Sequence, residues 1–208
     1  MTATIIDGKE TAKEKREQLA KEVEELKQKG VTPGLAVILI GDDPASLSYV
    51  RGKKKAAEAM GMHFQLDHLD ASLTEEELLK MIDQYNANDQ FHGILVQLPL
   101  PKHISEKAVI ERISPEKDVD GFHPLHIGKM LLGEDTFLPC TPAGIVELLN
   151  KTGVDLSGKE VVVVGRSNIV GKPVGQLLLN ENATVTYCHS RTANISEHTL
   201  KADILVVA

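Results

Sequence analysis

Short, almost wholly apolar runs at 35–40, 93–98, Glu160–Val164 and Ile204–Val207 punctuate a chain otherwise rich in charge. Runs of this length and apolarity read as strands buried on both faces. The stretches between them have helical spacing. From Asp7-Gly8 to about Gly30, Leu19, Val23 and Leu26 form one apolar stripe, and the Glu/Lys-rich remainder is a solvated face. Pro33-Gly34 ends that helix. A strand is expected at 64–69, then a helix capped by Thr74, with Glu77 completing a capping box. Pro99-Leu100-Pro101 stops the strand at 93–98, because proline cannot extend a central ladder. A helix fits 105–113, a loop 117–124, and a further helix starts with Thr141 as cap and Pro142 in its first position. The β-branched run Glu160–Val164 is a strand. After it come a glycine-bearing turn at 165–173, a helix ending near Asn182, a strand at 184–187, a short helix at 196–201 and a last strand at Ile204–Val207.

This alternation predicts an α/β protein of two domains. Residues 1–139 form an N-terminal α/β domain with a mainly parallel sheet, and residues 140–208 a Rossmann-type dinucleotide-binding domain in βαβαβ order. The chain stops at the end of a strand, so the second domain is expected to be truncated at its C-terminus and to expose an apolar edge.

One helix carries an anomaly. Asp42-Asp43-Pro44 is a helix start, with Asp43 as cap. At 100° per residue, Tyr49, Val50, Lys53, Ala56, Ala57 and Met60 share a stripe, while Arg51, Lys55 and Glu58 face the other way. Lys53 therefore sits in the middle of an apolar stripe, one turn from a tyrosine. Burial would lower its pKa and fit it for proton transfer; the plainer reading is a lysine whose stem covers apolar surface and whose ammonium reaches water.

With 23 basic and 30 acidic residues the net charge is −7, which argues against nucleic acid as a partner. No run approaches membrane-spanning length and the N-terminus has no signal-peptide pattern, so a cytoplasmic protein with no membrane partner is expected. Cys140 and Cys188, the only cysteines, read as free thiols, with Cys140 expected to be buried and structural. His123 and His126 lack a further ligand, so no metal site is expected.

Two groups of residues carry chemistry. In the second domain, Gly165 ends a strand and Gly171 opens a helix, where glycines let a backbone approach a pyrophosphate held at the helix N-terminus. The spacing is not G-x-G-x-x-G, and an ordinary strand-to-helix turn is the plainer alternative. The next strand ends in Cys188-His189-Ser190-Arg191, with no acid to hold a ribose 2′-hydroxyl. Ser190, Arg191 and Arg166 suit a 2′-phosphate instead, so NADP is expected over NAD. In the first domain, Tyr49 and Lys53 follow one strand, Gln97 ends another and Asp120 lies in a later loop. Ligands of open α/β sheets bind beyond the carboxyl ends of the strands, where these groups can converge. Each has a structural alternative: a hydrogen-bonded strand end for Gln97, an Asx-type turn with Gly121 for Asp120.

Assembled in order, these motifs resemble the bifunctional methylenetetrahydrofolate dehydrogenase/methenyltetrahydrofolate cyclohydrolase (FolD) family. The residues that carry the likeness are Tyr49-Val50-Arg51-Gly52-Lys53-x-Lys55-Ala56, the segment 93–101, Lys117-Asp118-Val119-Asp120-Gly121, Pro139-Cys140-Thr141-Pro142, Val164-Gly165-Arg166-Ser167 with Val170-Gly171-x-Pro173, and Cys188-His189-Ser190-x-Thr192. The resemblance implies tetrahydrofolate derivatives as substrates, NADP as cofactor and a homodimer. It implies Lys53 as the catalytic lysine, Tyr49 stacking on the folate, Gln97 tuning Lys53 and Asp120 gripping the pterin. It makes Gly165, Arg166, Ser167 and Ser190 cofactor contacts. By resemblance, 5,10-methylenetetrahydrofolate gives a hydride to NADP+, and the methenyl product is hydrolysed to 10-formyltetrahydrofolate. Family members continue past Val207, so activity of a chain ending here is an open expectation. The alternatives are a two-domain NADP oxidoreductase of the shikimate-dehydrogenase type and a non-catalytic folate- or nucleotide-binding chain.

Overall fold

Gly34–Ile40 (β1) is the central strand of a three-stranded parallel sheet in the computed structural model, which describes residues 3–208. Its neighbours are β2 (His63–Leu69) and β3 (Gly93–Val96), in the order β2-β1-β3. The apolar run of β1 follows from burial on both faces. Ile38 and Ile40, with Ile94 and Val96 of β3, pack under α3 (Glu75–Asn86) and α4 (Glu106–Arg112) through Leu78, Ile82 and Val109. Val37 and Leu39, with Leu95, pack on the other face under Val50 of α2 (Pro44–Ala59). Each such side chain withdrawn from water contributes about 1.5–3 kcal/mol. The remaining helix of this unit, α1 (Gly8–Gln28), buries Val23. Thr74 and Glu77 form the expected capping box on α3. At the other end of α3, Lys117 Nζ donates to the carbonyls of Tyr85 (3.0 Å) and Asn88 (2.9 Å), a cation where the helix dipole favours one.

A second parallel sheet has the order β5-β4-β6, from β4 (Glu160–Val164), β5 (Thr184–Cys188) and β6 (Ile204–Val207). Between these strands lie α7 (Gly171–Asn180) and α8 (Ile195–Thr199), and before them α5 (Pro124–Leu132) and α6 (Cys140–Lys151). Val161, Val163 and Val206 pack against Val174 and Leu178 of α7, with Ile145, Val146 and Leu149 of α6. On the opposite face of β6, Leu205 and Val207 are exposed.

The two units are Asp7–Val119 and Asp120–Ala208, residues 3–6 grouping with the latter. The sequence pattern drew the division at 139; the structure groups 120–139 with the second sheet. The segment is held there by α5, whose Met130 carbonyl accepts from Asn180 Nδ2 of α7 at 3.1 Å. The pattern also left 117–124 and the residues after it without a regular element. In fact His123 Nδ1 caps α5, Pro124 is in its first turn and Gly133 closes it at φ +71°, the proline-start and glycine-stop asymmetry of a short helix. Thr141 is not a cap: α6 begins at Cys140 with Pro139 before it. Cys140 is exposed rather than buried, and Cys188 is the buried thiol. Among the described residues, no helix is long and apolar enough to cross a membrane, and no cluster of three His, Cys, Asp or Glu residues suits a metal ion.

Candidate active site

The turn from β1 into α2 sets the first group of residues. Asp43 Oδ1 accepts from Ser46 N at 2.7 Å and Pro44 occupies the first turn, so α2 starts cleanly at the carboxyl end of β1. These hydrogen bonds hold the Asp43 carboxyl below its ordinary range. The expected stripe on α2 divides. Val50 and Ala57 are buried, Lys53, Ala56 and Met60 are half-buried, and Tyr49 is 68% exposed. Tyr49 thus shares the stripe in projection but is not packed with it. It lies at the margin of the packed face, about 100° round the helix from Val50, with its ring exposed and able to stack.

Lys53 reaches the end of β3. Its Nζ donates to Gln97 Oε1 at 3.1 Å. Gln97 is anchored twice: its backbone N–H donates to Ile38 O (2.9 Å), continuing the β1–β3 pairing, and its Nε2 donates to Leu98 O (2.8 Å). With Nε2 committed to a carbonyl, Oε1 must face the lysine. The acceptor is a neutral amide, and a lysine ammonium has three donors, so two remain for another partner. Lys53 and Tyr49 line a depression of about 440 Å³ together with Ser48, Gly52, Ala56 and Arg16 of α1. Arg16 was not foreseen. At 100° per residue it falls about 20° from Val23, on the apolar stripe of α1 rather than on its solvated face, and the packing of that face brings it here.

Asp120 is half-buried in the loop before α5, preceded by the buried Asp118, whose backbone pairs with Ile94 of β3. It opens the second unit and is followed by Gly121 at φ +68°, where a Cβ would meet the Leu138 carbonyl carbon at 2.7 Å.

In the second unit, Gly165 N donates to Cys188 O at 2.9 Å, so the turns after β4 and β5 leave the sheet side by side. A Cβ on Gly171 would come within 2.7 Å of the Arg166 nitrogen and the Gly165 carbonyl carbon; only glycine lets the helix start this close to the turn. Ser167 Oγ accepts from the N–H groups of Val170 (3.2 Å) and Gly171 (3.1 Å), and Ser167 O accepts from Lys172 N (3.0 Å). The first turn of α7 is therefore capped by Ser167, not left open for a pyrophosphate as the motif suggested. Among the described residues, no protein acceptor takes the backbone N–H groups of Arg166, Ser167, Asn168 or Ile169. These, and the remaining hydroxyl proton of Ser167, are the donors a phosphate would meet. The turn after β5 is closed by His189 N donating to Thr192 Oγ1 (2.8 Å) and Thr192 N to His189 O (2.8 Å). It presents exposed Ser190 and Arg191, near the end of β4 that carries exposed Arg166. Behind this face, Tyr187 Oη donates to Lys172 O at 3.0 Å, and burial pushes the phenol's pKa up. These backbone donors, with the Arg166 and Arg191 guanidiniums, which make no hydrogen bond or ion pair among the described residues, fit a phosphorylated dinucleotide.

Two family models cover nearly the whole chain: "Tetrahydrofolate dehydrogenase/cyclohydrolase, catalytic domain" matches residues 6–120, and its "NAD(P)-binding domain" residues 139–208. This chain belongs to the tetrahydrofolate dehydrogenase/cyclohydrolase family. It is 98% identical over its whole length to the "Bifunctional protein FolD" of Bacillus pumilus (strain SAFR-032), covering 74% of that protein. The bifunctional FolD of Campylobacter jejuni superposes with a TM-score of 0.97 at 47% identity, over 99% of this chain and 73% of that one. FolD of Trypanosoma brucei, solved with NADP and an inhibitor, superposes at 0.96 with 41% identity, over 100% of this chain and 72% of that one. The depression around Lys53 lies in the part matched by the family's catalytic domain, and the Gly165–Gly171 turn in the part matched by its NAD(P)-binding domain.

Proposed function

We propose that this chain oxidises 5,10-methylenetetrahydrofolate to 5,10-methenyltetrahydrofolate with NADP+ and hydrolyses the product to 10-formyltetrahydrofolate, through the residues described above. The observation that carries the reading is the Lys53–Gln97 hydrogen bond in the wall that also holds Tyr49, inside a chain matched at both ends by the family's two models.

The dehydrogenase step needs position rather than proton transfer. Tyr49 offers its exposed ring to the planar folate, and Asp120, in this reading, accepts from the pterin's N–H groups. When bound, NADP+ accepts the hydride from the one-carbon bridge. Gly165, Arg166 and Ser167 would hold its phosphates, and Ser190, Arg191 and Arg166 its 2′-phosphate.

Hydrolysis needs a proton carrier. Water attacks the methenyl carbon and loses one proton to solvent, giving a neutral carbinolamine; its hydroxyl then loses the second proton as the C–O bond becomes a carbonyl, the bond from that carbon to N5 breaks, and N5 gains a proton, so that one proton is released overall. Lys53 carries the proton from the attacking oxygen to N5, and Gln97 keeps its Nζ at one point of the wall. Positioned acid–base groups contribute about 10²–10⁴-fold.

The family likeness also supports a homodimer and a cytoplasmic location; sedimentation and cell fractionation test these. The activity is tested by mixing the chain with NADP+ and 5,10-methylenetetrahydrofolate and following NADPH and methenyl absorbance. Formation of both, with the methenyl signal decaying faster than its uncatalysed hydrolysis, is the expected result. No NADPH from this chain, nor from the chain extended to its relatives' length, would overturn the reading.

A further inference from the structure

The depression that holds Tyr49 and Lys53 has a second cation with no assigned task. Arg16 lines it from α1, whereas the other lining residues, Ser48, Tyr49, Gly52, Lys53 and Ala56, all belong to α2. The two helices run side by side in the same sense. A Cβ at Gly61, just past the end of α2, would lie 2.5 Å from Lys27 Nζ and 3.9 Å from Val23 Cγ1 of α1. Arg16 precedes Val23 by about two helical turns, as Lys53 precedes Gly61, which puts the guanidinium level with Tyr49 and Lys53. Neighbouring charged residues are engaged: Lys13 pairs with Glu10 at 3.6 Å and Lys54 with Glu58 at 3.9 Å. Arg16 makes no hydrogen bond or ion pair among the described residues, and no carboxylate lines the depression.

Resting on the proposed folate reading, the geometry points to a carboxylate subsite: we infer that Arg16 binds the glutamate tail of the folate substrate. A reduced folate carries its pterin and aminobenzoyl rings at one end and a glutamate with two carboxylates at the other. If the rings lie along Tyr49 with the reacting carbon at Lys53, the acidic end has to leave along the open wall. Among the described residues, Arg16 is the one guanidinium on that wall. A guanidinium fork matches a carboxylate with two parallel N–H···O bonds. The contact lies outside the reacting atoms, so it raises affinity without entering the chemistry.

The test compares tetrahydrofolate with tetrahydropteroate, which lacks the glutamate, by equilibrium titration on the wild-type chain and on Arg16→Ala and Arg16→Lys. The wild type is expected to bind tetrahydrofolate roughly five- to tenfold more tightly, the range for a partly screened charge-assisted pair. Arg16→Ala should bring that ratio to about one while leaving tetrahydropteroate affinity unchanged, and Arg16→Lys should keep part of it. The wild-type ratio should also shrink as salt is raised. An unchanged ratio in Arg16→Ala, or equal weakening of both ligands, overturns the subsite and leaves the folate reading standing. Failure of the wild type to bind either ligand overturns both.

Discussion

Lys53 Nζ and Gln97 Oε1 meet at 3.1 Å although 44 positions separate them in the chain. The contact exists because β1 and β3 are adjacent in the sheet and α2 leaves the carboxyl end of β1. A helix residue after one strand thus meets a side chain at the end of its neighbour. Removing the lysine should leave this scaffold intact, since Val50 and Ala57, not Lys53, fill the core side of α2. Lys53→Met is expected to lower methenyl hydrolysis by at least about 10²-fold while binding of tetrahydrofolate survives. Stopped-flow absorbance of the methenyl species and a binding titration measure the two separately. Full hydrolysis by the variant would take Lys53 out of the mechanism.

Gln97 is assigned a positioning role, and its test has to separate position from fold. Gln97→Glu keeps the shape but replaces a neutral acceptor with a carboxylate, which favours the charged lysine. The pH profile of hydrolysis should therefore move to higher pH, whereas a structural residue would change the rate without moving the profile. Gln97→Leu should lower kcat for hydrolysis with a smaller change in KM.

Much of the scaffold was legible in the sequence, because its strands are apolar runs and its helix ends carry ordinary caps: Asp43, and Thr74 with Glu77, cap as their positions suggest. The misreadings have physical causes. Tyr49 sits at the edge of a stripe, where a projection at 100° per residue cannot distinguish a packed side chain from one at the margin of the packed face. The helix α5 is short and starts from a histidine cap, which hid it among loop signals. Ser167 was singled out as a residue of the turn proposed for the phosphates, but not as the cap of α7. Arg16 shares the stripe of Val23, as Lys53 shares that of Val50, but a lone arginine there reads as one whose stem covers apolar surface. Its meaning arises only when α1 is laid beside α2.

The turn proposed to hold the cofactor gives a charge prediction. Ser190, Arg191 and Arg166 are exposed and there is no acid at the end of β5. Arg166→Ala and Arg191→Ala should each raise KM for NADP+ by roughly tenfold, the loss of one charge-assisted contact, and leave the much weaker use of NAD+ little changed. Initial rates with the two nucleotides measure this. Comparable efficiency of NAD+ and NADP+ with the unaltered chain would refute the 2′-phosphate assignment.

Gly171 gives a steric one. A methyl group there would sit 2.7 Å from the backbone of Gly165 and Arg166, neither of which can move without opening the turn. Gly171→Ala should cost about 1–3 kcal/mol of stability, seen as a lower denaturation midpoint. It should weaken NADP+ binding by more than it weakens folate binding. Equal loss of both ligands would mean that the substitution acts through global unfolding.

Acid should weaken the chain through its helix caps. The hydrogen bonds from Ser46 hold Asp43 below its ordinary 3.8, and those from Thr74 hold Glu77 below 4.5. For a carboxylate depressed on folding, the stabilisation is fully present above the unfolded value and disappears as pH falls through the folded one. The loss therefore begins near pH 4 and grows below it. Asn caps a helix as well as Asp but does not titrate, so Asp43→Asn should match the parent at pH 7 in urea denaturation and lose less between pH 4 and pH 2. The same drop in both chains over that range would show that the Asp43 cap is not among the groups that acid releases.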